Sequence, residues 1–71
     1  MEQDICILVG RRIRENRLRR GWRQIDLAAH ASISETYVSE LETGSSEVCI
    51  RTLHAISKAF GMGIGEFLAK I

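Results

Sequence analysis

Apolar residues recur along this chain at spacings of three and four, and nowhere in the alternation of a strand, so the pattern predicts helices throughout. A first helix is expected over residues 4–20, with Ile5, Leu8, Val9, Ile13 and, at its far end, Leu18 spaced toward a core. Gly21 stops it. A second runs from Gln24 to Ala31, its apolar and small positions being Ile25, Leu27, Ala28 and Ala31. A third runs from Glu35 to Thr43, with Val38, Leu41 and Glu42 on one side and Gly44 where a left-handed residue ends a helix. A fourth covers Cys49 to Phe60 on the stripe Ile50, Leu53, Ile56 and Phe60, closed by Gly61. A short fifth, Ile64 to Lys70, carries Ile64, Phe67, Leu68 and Ile71. The expectation is an all-α, compact five-helix domain.

The link between the second and third helices is only Ser32, Ile33 and Ser34. Ser34 can cap the third helix, with Glu35 in the first turn where the helix dipole favours an anion. Ser32-x-x-Glu35 also fits a capping box, so both serines compete for that role. Ile33 between them reads as a plug packing under both helices. Two helices of eight or nine residues about a three-residue turn form a helix-turn-helix unit over about 24–43, which projects one helix from the body on the support of the other.

The length, 71 residues, allows one domain with a single core, burying only about 60% of the surface that the unfolded chain exposes. A substrate pocket would consume much of that core, and no nucleophile–base pair or phosphate loop is visible. "GMGIG" at 61–65 lacks the strand and spacing of a dinucleotide loop, so no enzyme and no cofactor are expected. Cys6 and Cys49 read as reduced, mostly buried thiols, and His30 and His54 stand in no metal-ligand spacing to them. No apolar run is long enough to span a membrane, and the acidic N-terminus lacks a basic leader, so a cytoplasmic location is expected.

The net charge of +1 hides an asymmetry. Between residues 10 and 23, Arg11, Arg12, Arg14, Arg17, Arg19, Arg20 and Arg23 stand against Glu15 alone, whereas the flanking segments are both net acidic. Such a local excess points to an anionic partner met at one face, or to a solvated helix face.

The stretches "GRRIRENR", Gln24-x-x-Leu27-Ala28, Ile33-Ser34-x-x-x-Val38-Ser39-x-Leu41-Glu42-x-Gly44 and Leu53-x-x-Ile56-x-x-x-Phe60-Gly61 together resemble the phage-repressor and Cro-type (XRE-type) helix-turn-helix DNA-binding domains. The resemblance covers Val9 to Leu68 and extends to small restriction-modification controllers, stand-alone repressors and antitoxin-like regulators. It implies that Glu35, Thr36 and Glu40 face base edges in the major groove, flanked by Tyr37 and Ser39. It implies phosphate contacts from Gln24 at a helix N-terminus and from Ser45 and Ser46. Arg17 and Glu42 fall where the family places an internal salt bridge. Departures matter as well. Arg23 replaces the usual Ser or Thr cap, Ser32 the turn glycine, Val48 a proline, and Ser45 a common Lys or Arg. Phosphate binding is therefore expected to lean on Arg19, Arg20, Arg23 and Arg51.

Acidic side chains on a helix meant for a polyanion admit three readings. Glu35 and Glu40 can accept from cytosine N4 and select C·G pairs, can be held by neighbouring arginines, or can mark a surface for protein. The function implied is a sequence-specific transcriptional regulator acting on double-stranded DNA as a homodimer on a two-fold operator, with no small-molecule ligand evident. Ile64, Leu68 and Ile71 are the expected dimer surface. The rival is an antitoxin-like interaction module that touches DNA secondarily.

Overall fold

The computed structural model describes residues 4–71; Glu2, one of the two acidic residues of the N-terminal segment, lies outside the described residues. Among the described residues the elements are α1 (Ile5–Arg19), α2 (Gln24–Ala31), α3 (Glu35–Thr43), α4 (Ile50–Ala59) and α5 (Ile64–Phe67), with no strand. Local chemistry sets the boundaries. Asp4 caps α1 by accepting the Cys6 N–H at 2.7 Å. Ser34, not Ser32, caps α3 by accepting the Tyr37 N–H at 3.0 Å. Ser32 instead ends α2 in the left-handed region, at φ 58°, a conformation a serine tolerates at modest cost.

One core joins all five helices. Val9 and Ile13 of α1, Leu27, Ala28 and Ala31 of α2, Val38 and Leu41 of α3, Leu53 and Ile56 of α4, Phe60 and Phe67 form a continuous buried cluster. Ile33 packs half-buried against it from the turn, as a plug should. The packing places α3 against both α1 and α2, with α4 supporting α2 and carrying α5. The crossing of α1 and α3 is so close that a methyl group at Gly10 would overlap the Leu41 carbonyl oxygen and lie 2.9 Å from that of Glu42. At the end of α3, Gly44 adopts φ 79°, and a side chain there would meet Ile7.

Several expectations from periodicity are corrected. Ile5, Leu18, Ile25 and Ile50 are exposed rather than in the core. Leu18 lies five residues beyond Ile13 and Ile25 two before Leu27, so at about 100° per residue each is turned well away from the buried stripe. Cys49 and Phe60 flank α4 as caps instead of belonging to it. The fifth helix stops at Phe67 rather than Lys70. The Arg12 guanidinium there takes the carbonyls of Phe67 at 2.7 Å and Ala69 at 3.0 Å, acceptors that the end of a helix leaves without intrahelical partners. The thiols are free, but only Cys6 is partly buried; Cys49 is exposed at the N-terminus of α4. Burial, with Asp4 beside it, pushes the Cys6 thiol up. The Thr52 hydroxyl and the backbone N–H groups of the α4 end pull that of Cys49 down. No described helix is long and apolar enough to cross a membrane, and the described residues bring no three metal-ligating side chains together.

Candidate functional site

The outward face of α3 is the natural starting point, because its inner face is spent on Val38, Leu41 and Glu42. Glu35, Thr36, Ser39, Glu40 and Thr43 recur around the opposite side, all exposed except Ser39, which is half-buried. Among the described residues no Lys or Arg lies within ion-pair distance of the Glu35 or Glu40 carboxylates. Arg23 is near enough to feel the field of Glu35 but pairs with Asp26 instead. The glutamates are therefore not neutralised by neighbouring arginines.

Tyr37 is turned away from that face. Its ring packs half-buried against the core, and its hydroxyl donates to the Glu47 carbonyl at 2.9 Å, so it works as a strut between α3 and the following loop. The two serines expected at phosphate also bend back onto α3. Ser45 donates to the Glu40 carbonyl through its N–H at 3.0 Å and its hydroxyl at 3.2 Å, and the Ser46 hydroxyl donates to Glu40 Oε1 at 3.2 Å.

Beneath α3 lies a charged pair. Arg17 donates to Glu42 through Nε at 2.6 Å and Nη2 at 3.0 Å, a two-point fork between side chains only 9% and 2% exposed. Both partners are held further: Arg17 Nη1 donates to the Trp22 carbonyl at 2.8 Å, and Glu42 Oε1 also accepts from Gln24 Nε2 at 3.2 Å. One carboxylate thus ties together the end of α1, the start of α2 and the last turn of α3. The Gln24 amide is oriented by it, with Oε1 and one N–H left over for a ligand.

The arginines of residues 10–23 do not form one patch. Arg12 is spent on the end of α5 and Arg17 on Glu42. Arg20, expected at phosphate, is turned inward: it donates to the Asn16 carbonyl at 2.9 Å and to the Phe60 carbonyl, with its guanidinium 4.6 Å above the Phe60 ring. Arg14, Arg19 and Arg51 are exposed. Arg23 is exposed too, and occupies the N-cap of α2, where Asp26 compensates for the missing cap. The Asp26 carboxylate accepts the Arg23 N–H at 2.7 Å and pairs with its guanidinium at 3.3 Å, which holds the Asp26 carboxyl below the usual carboxylate range. An exposed pair of that kind is worth little, so phosphate can take the guanidinium over.

Trp22 was not singled out by periodicity, yet it anchors this end of the domain. It stacks on His30, with centroids 4.3 Å apart and 11° between the planes, and on Phe60 at 5.9 Å. The available signal was its place just before the cap of α2, where a hydrophobic staple sits. On another side of the molecule, Leu68 and Ile71 line an apolar groove of about 480 Å³ with Ile5, Val9, Val48 and Leu53. Ile71 is 38% exposed at its rim, whereas Ile64, expected beside them, packs half-buried against the core.

Comparison with known proteins agrees with this geometry. The chain is 37% identical over 57 residues to the HTH-type transcriptional regulator DdrOP3 of Deinococcus deserti, covering 80% of this chain but only 44% of that protein. It is 33% identical over 63 residues to the control protein C.BamHI of Bacillus amyloliquefaciens, covering 87% and 78%. In structure it matches the restriction-modification controller protein C.AhdI of Aeromonas hydrophila with a TM-score of 0.85 at 25% identity, over 89% of this chain and 96% of that one. It matches the clp gene regulator ClgR of C. glutamicum with a TM-score of 0.87 at 30% identity, over 94% and 87%. A family profile described as helix-turn-helix matches residues 13–67, and with the exposed α3 held on a buried Arg17–Glu42 pair the chain belongs to the XRE-type helix-turn-helix family of DNA-binding regulators.

Proposed function

We propose that this chain is a single-domain transcriptional regulator that inserts α3 into the major groove of a two-fold operator as a homodimer. The observation that carries the reading is the outward face of α3, whose exposed Glu35, Thr36 and Glu40 stand free of basic partners above a fully committed inner face. In this reading Glu35 and Glu40 accept from cytosine N4, with Thr36 and Ser39 beside them. Arg19, Arg23 and Arg51 supply phosphate contacts, and Gln24 adds its free carbonyl end and one N–H. Arg20, Tyr37 and Ser45 hold the scaffold rather than the nucleic acid. Among regulators, the likeness to C.BamHI and C.AhdI supports a controller of restriction-modification genes.

Selection of bound sites from a random DNA pool tests the whole reading: an inverted repeat with C·G pairs at fixed positions in each half is expected, and no enriched sequence would refute it. On the selected site, Arg23→Ala should weaken binding to all sequences alike and reduce the slope of log affinity against log salt by about 0.9. An unchanged slope would remove Arg23 from the phosphate contacts.

The dimer is supported by the apolar groove. A single α3 reads few base pairs, and a second copy places another about 34 Å away, one turn of DNA along. Leu68 and the exposed Ile71 at the groove are the surface a second copy would cover. Sedimentation at tens of micromolar should show a dimer, with Leu68→Asp or Ile71→Asp shifting it to monomer. A monomer for the unsubstituted chain at that concentration would refute the assignment.

A further inference from the structure

We propose that Ser46 is a specificity-determining positioning residue that reads the operator through Glu40, in place of the phosphate contact expected of it; the inference rests on the reading of Glu40 as a cytosine acceptor. Ser46 lies on the loop between α3 and α4, and its hydroxyl donates to Glu40 Oε1 at 3.2 Å. That loop is tethered to α3 on both sides of Ser46. Before it, Ser45 donates N–H and hydroxyl to the Glu40 carbonyl. After it, the Glu47 carbonyl accepts the Tyr37 hydroxyl at 2.9 Å. Ser46 is thus presented to Glu40 by a fixed backbone.

The chemistry of the pair follows from its donors and acceptors. A glutamate on an exposed helix face has three rotatable bonds, and holding it in one conformation costs side-chain entropy. No Lys or Arg of the described residues lies within ion-pair distance to hold it. The Ser46 hydroxyl does so without neutralising it, occupying Oε1 and leaving Oε2 as an acceptor of defined direction. A cytosine N4 donor matches that acceptor; thymine and guanine present acceptor oxygens there, and adenine's N6 donor comes with the N7 acceptor beside it, which repels a carboxylate. The bond to Oε1 also lowers the cost of bringing a carboxylate near phosphates, because one oxygen keeps a partner when water leaves.

Competition binding of the 71-residue chain decides the matter, using the selected operator and every single-base variant of it, at two or more salt concentrations. Glu40→Gln defines the base pair that Glu40 reads. Ser46→Ala is expected to lower discrimination at that same base pair by about three- to tenfold, the net worth of one ordinary hydrogen bond, as suits a solvent-exposed pair. It should leave the salt slope and the melting temperature unchanged, and Ser46→Thr, which keeps the hydroxyl, should restore discrimination. Ser45→Ala should leave base preference unaltered, since that hydroxyl reaches only the backbone. Uniform weakening with a slope reduced by about 0.9 would overturn the inference and return Ser46 to phosphate. A shift for Glu40→Gln with none for Ser46→Ala would overturn the role of Ser46 alone. No shift for either would overturn both that role and the cytosine reading of Glu40.

Discussion

Replacing Arg17 by alanine is expected to destabilise the fold by about 3–5 kcal/mol, because it strands a carboxylate that is only 2% exposed. The loss is more than one ion pair. Glu42 keeps only Gln24 as a partner, and the Trp22 carbonyl loses the guanidinium that holds it. For a chain of this size each kcal/mol moves the melting temperature by roughly 4–8 °C, so a fall of well over ten degrees should be plain by circular dichroism. DNA affinity should fall only with the folded fraction, and should recover at low temperature. Exchanging both partners for apolar residues of similar volume, as in Arg17→Met with Glu42→Leu, should restore much of the stability. It should not restore the orientation of Gln24. An Arg17→Ala protein that melts as before yet no longer binds DNA would make Arg17 a direct phosphate ligand.

Gly10→Ala is expected to cost about 3 kcal/mol, at the upper end for overpacking, since the new methyl meets backbone rather than a yielding side chain. Neither the Leu41 nor the Glu42 carbonyl can move without shifting the last turn of α3, and that turn carries the Arg17 pair on one side and Glu40 on the other. Denaturant unfolding should therefore show lower stability and, at matched folded fraction, poorer base discrimination. Gly65→Ala is the control. Nothing lies near that position, so exchanging a helical glycine there should stabilise by about 0.5–1 kcal/mol. Equal stability for Gly10→Ala and the unsubstituted chain would mean that α1 and α3 are not in close contact.

The helices themselves were legible because their signals are local. Apolar spacing, Ser34 as a cap and the stops at Gly21, Gly44 and Gly61 each depend on residues within a turn of one another. Helices α2 and α3 accordingly fall where periodicity places them, residue for residue. The short turn dictated which helix is displayed, since Ile33 must be covered and three residues leave little freedom in how α3 leaves α2. The Arg17–Glu42 pair was reached through family resemblance, not through periodicity: nothing in the spacing of two charges 25 residues apart says that they meet.

The sorting of the arginines belonged to the tertiary structure alone. Seven cations within fourteen residues read as one patch, yet Arg12 reaches 55 residues along the chain to close α5, and Arg20 reaches 40 to the end of α4. A guanidinium carries five donors on a long arm, so it goes wherever the fold leaves carbonyls without partners, and those carbonyls sit at helix ends placed by packing. The same reason gives Tyr37, Ser45 and Ser46 partners within the chain, at the Glu47 carbonyl, the Glu40 carbonyl and the Glu40 carboxylate. Alone, the sequence determined the five helices, their order and the face of α3 turned outward, because these follow from 3.6-residue periodicity and tight turns. Only the tertiary structure decided which polar side chains remain for a partner, because that depends on which donors and acceptors the folded chain has already satisfied.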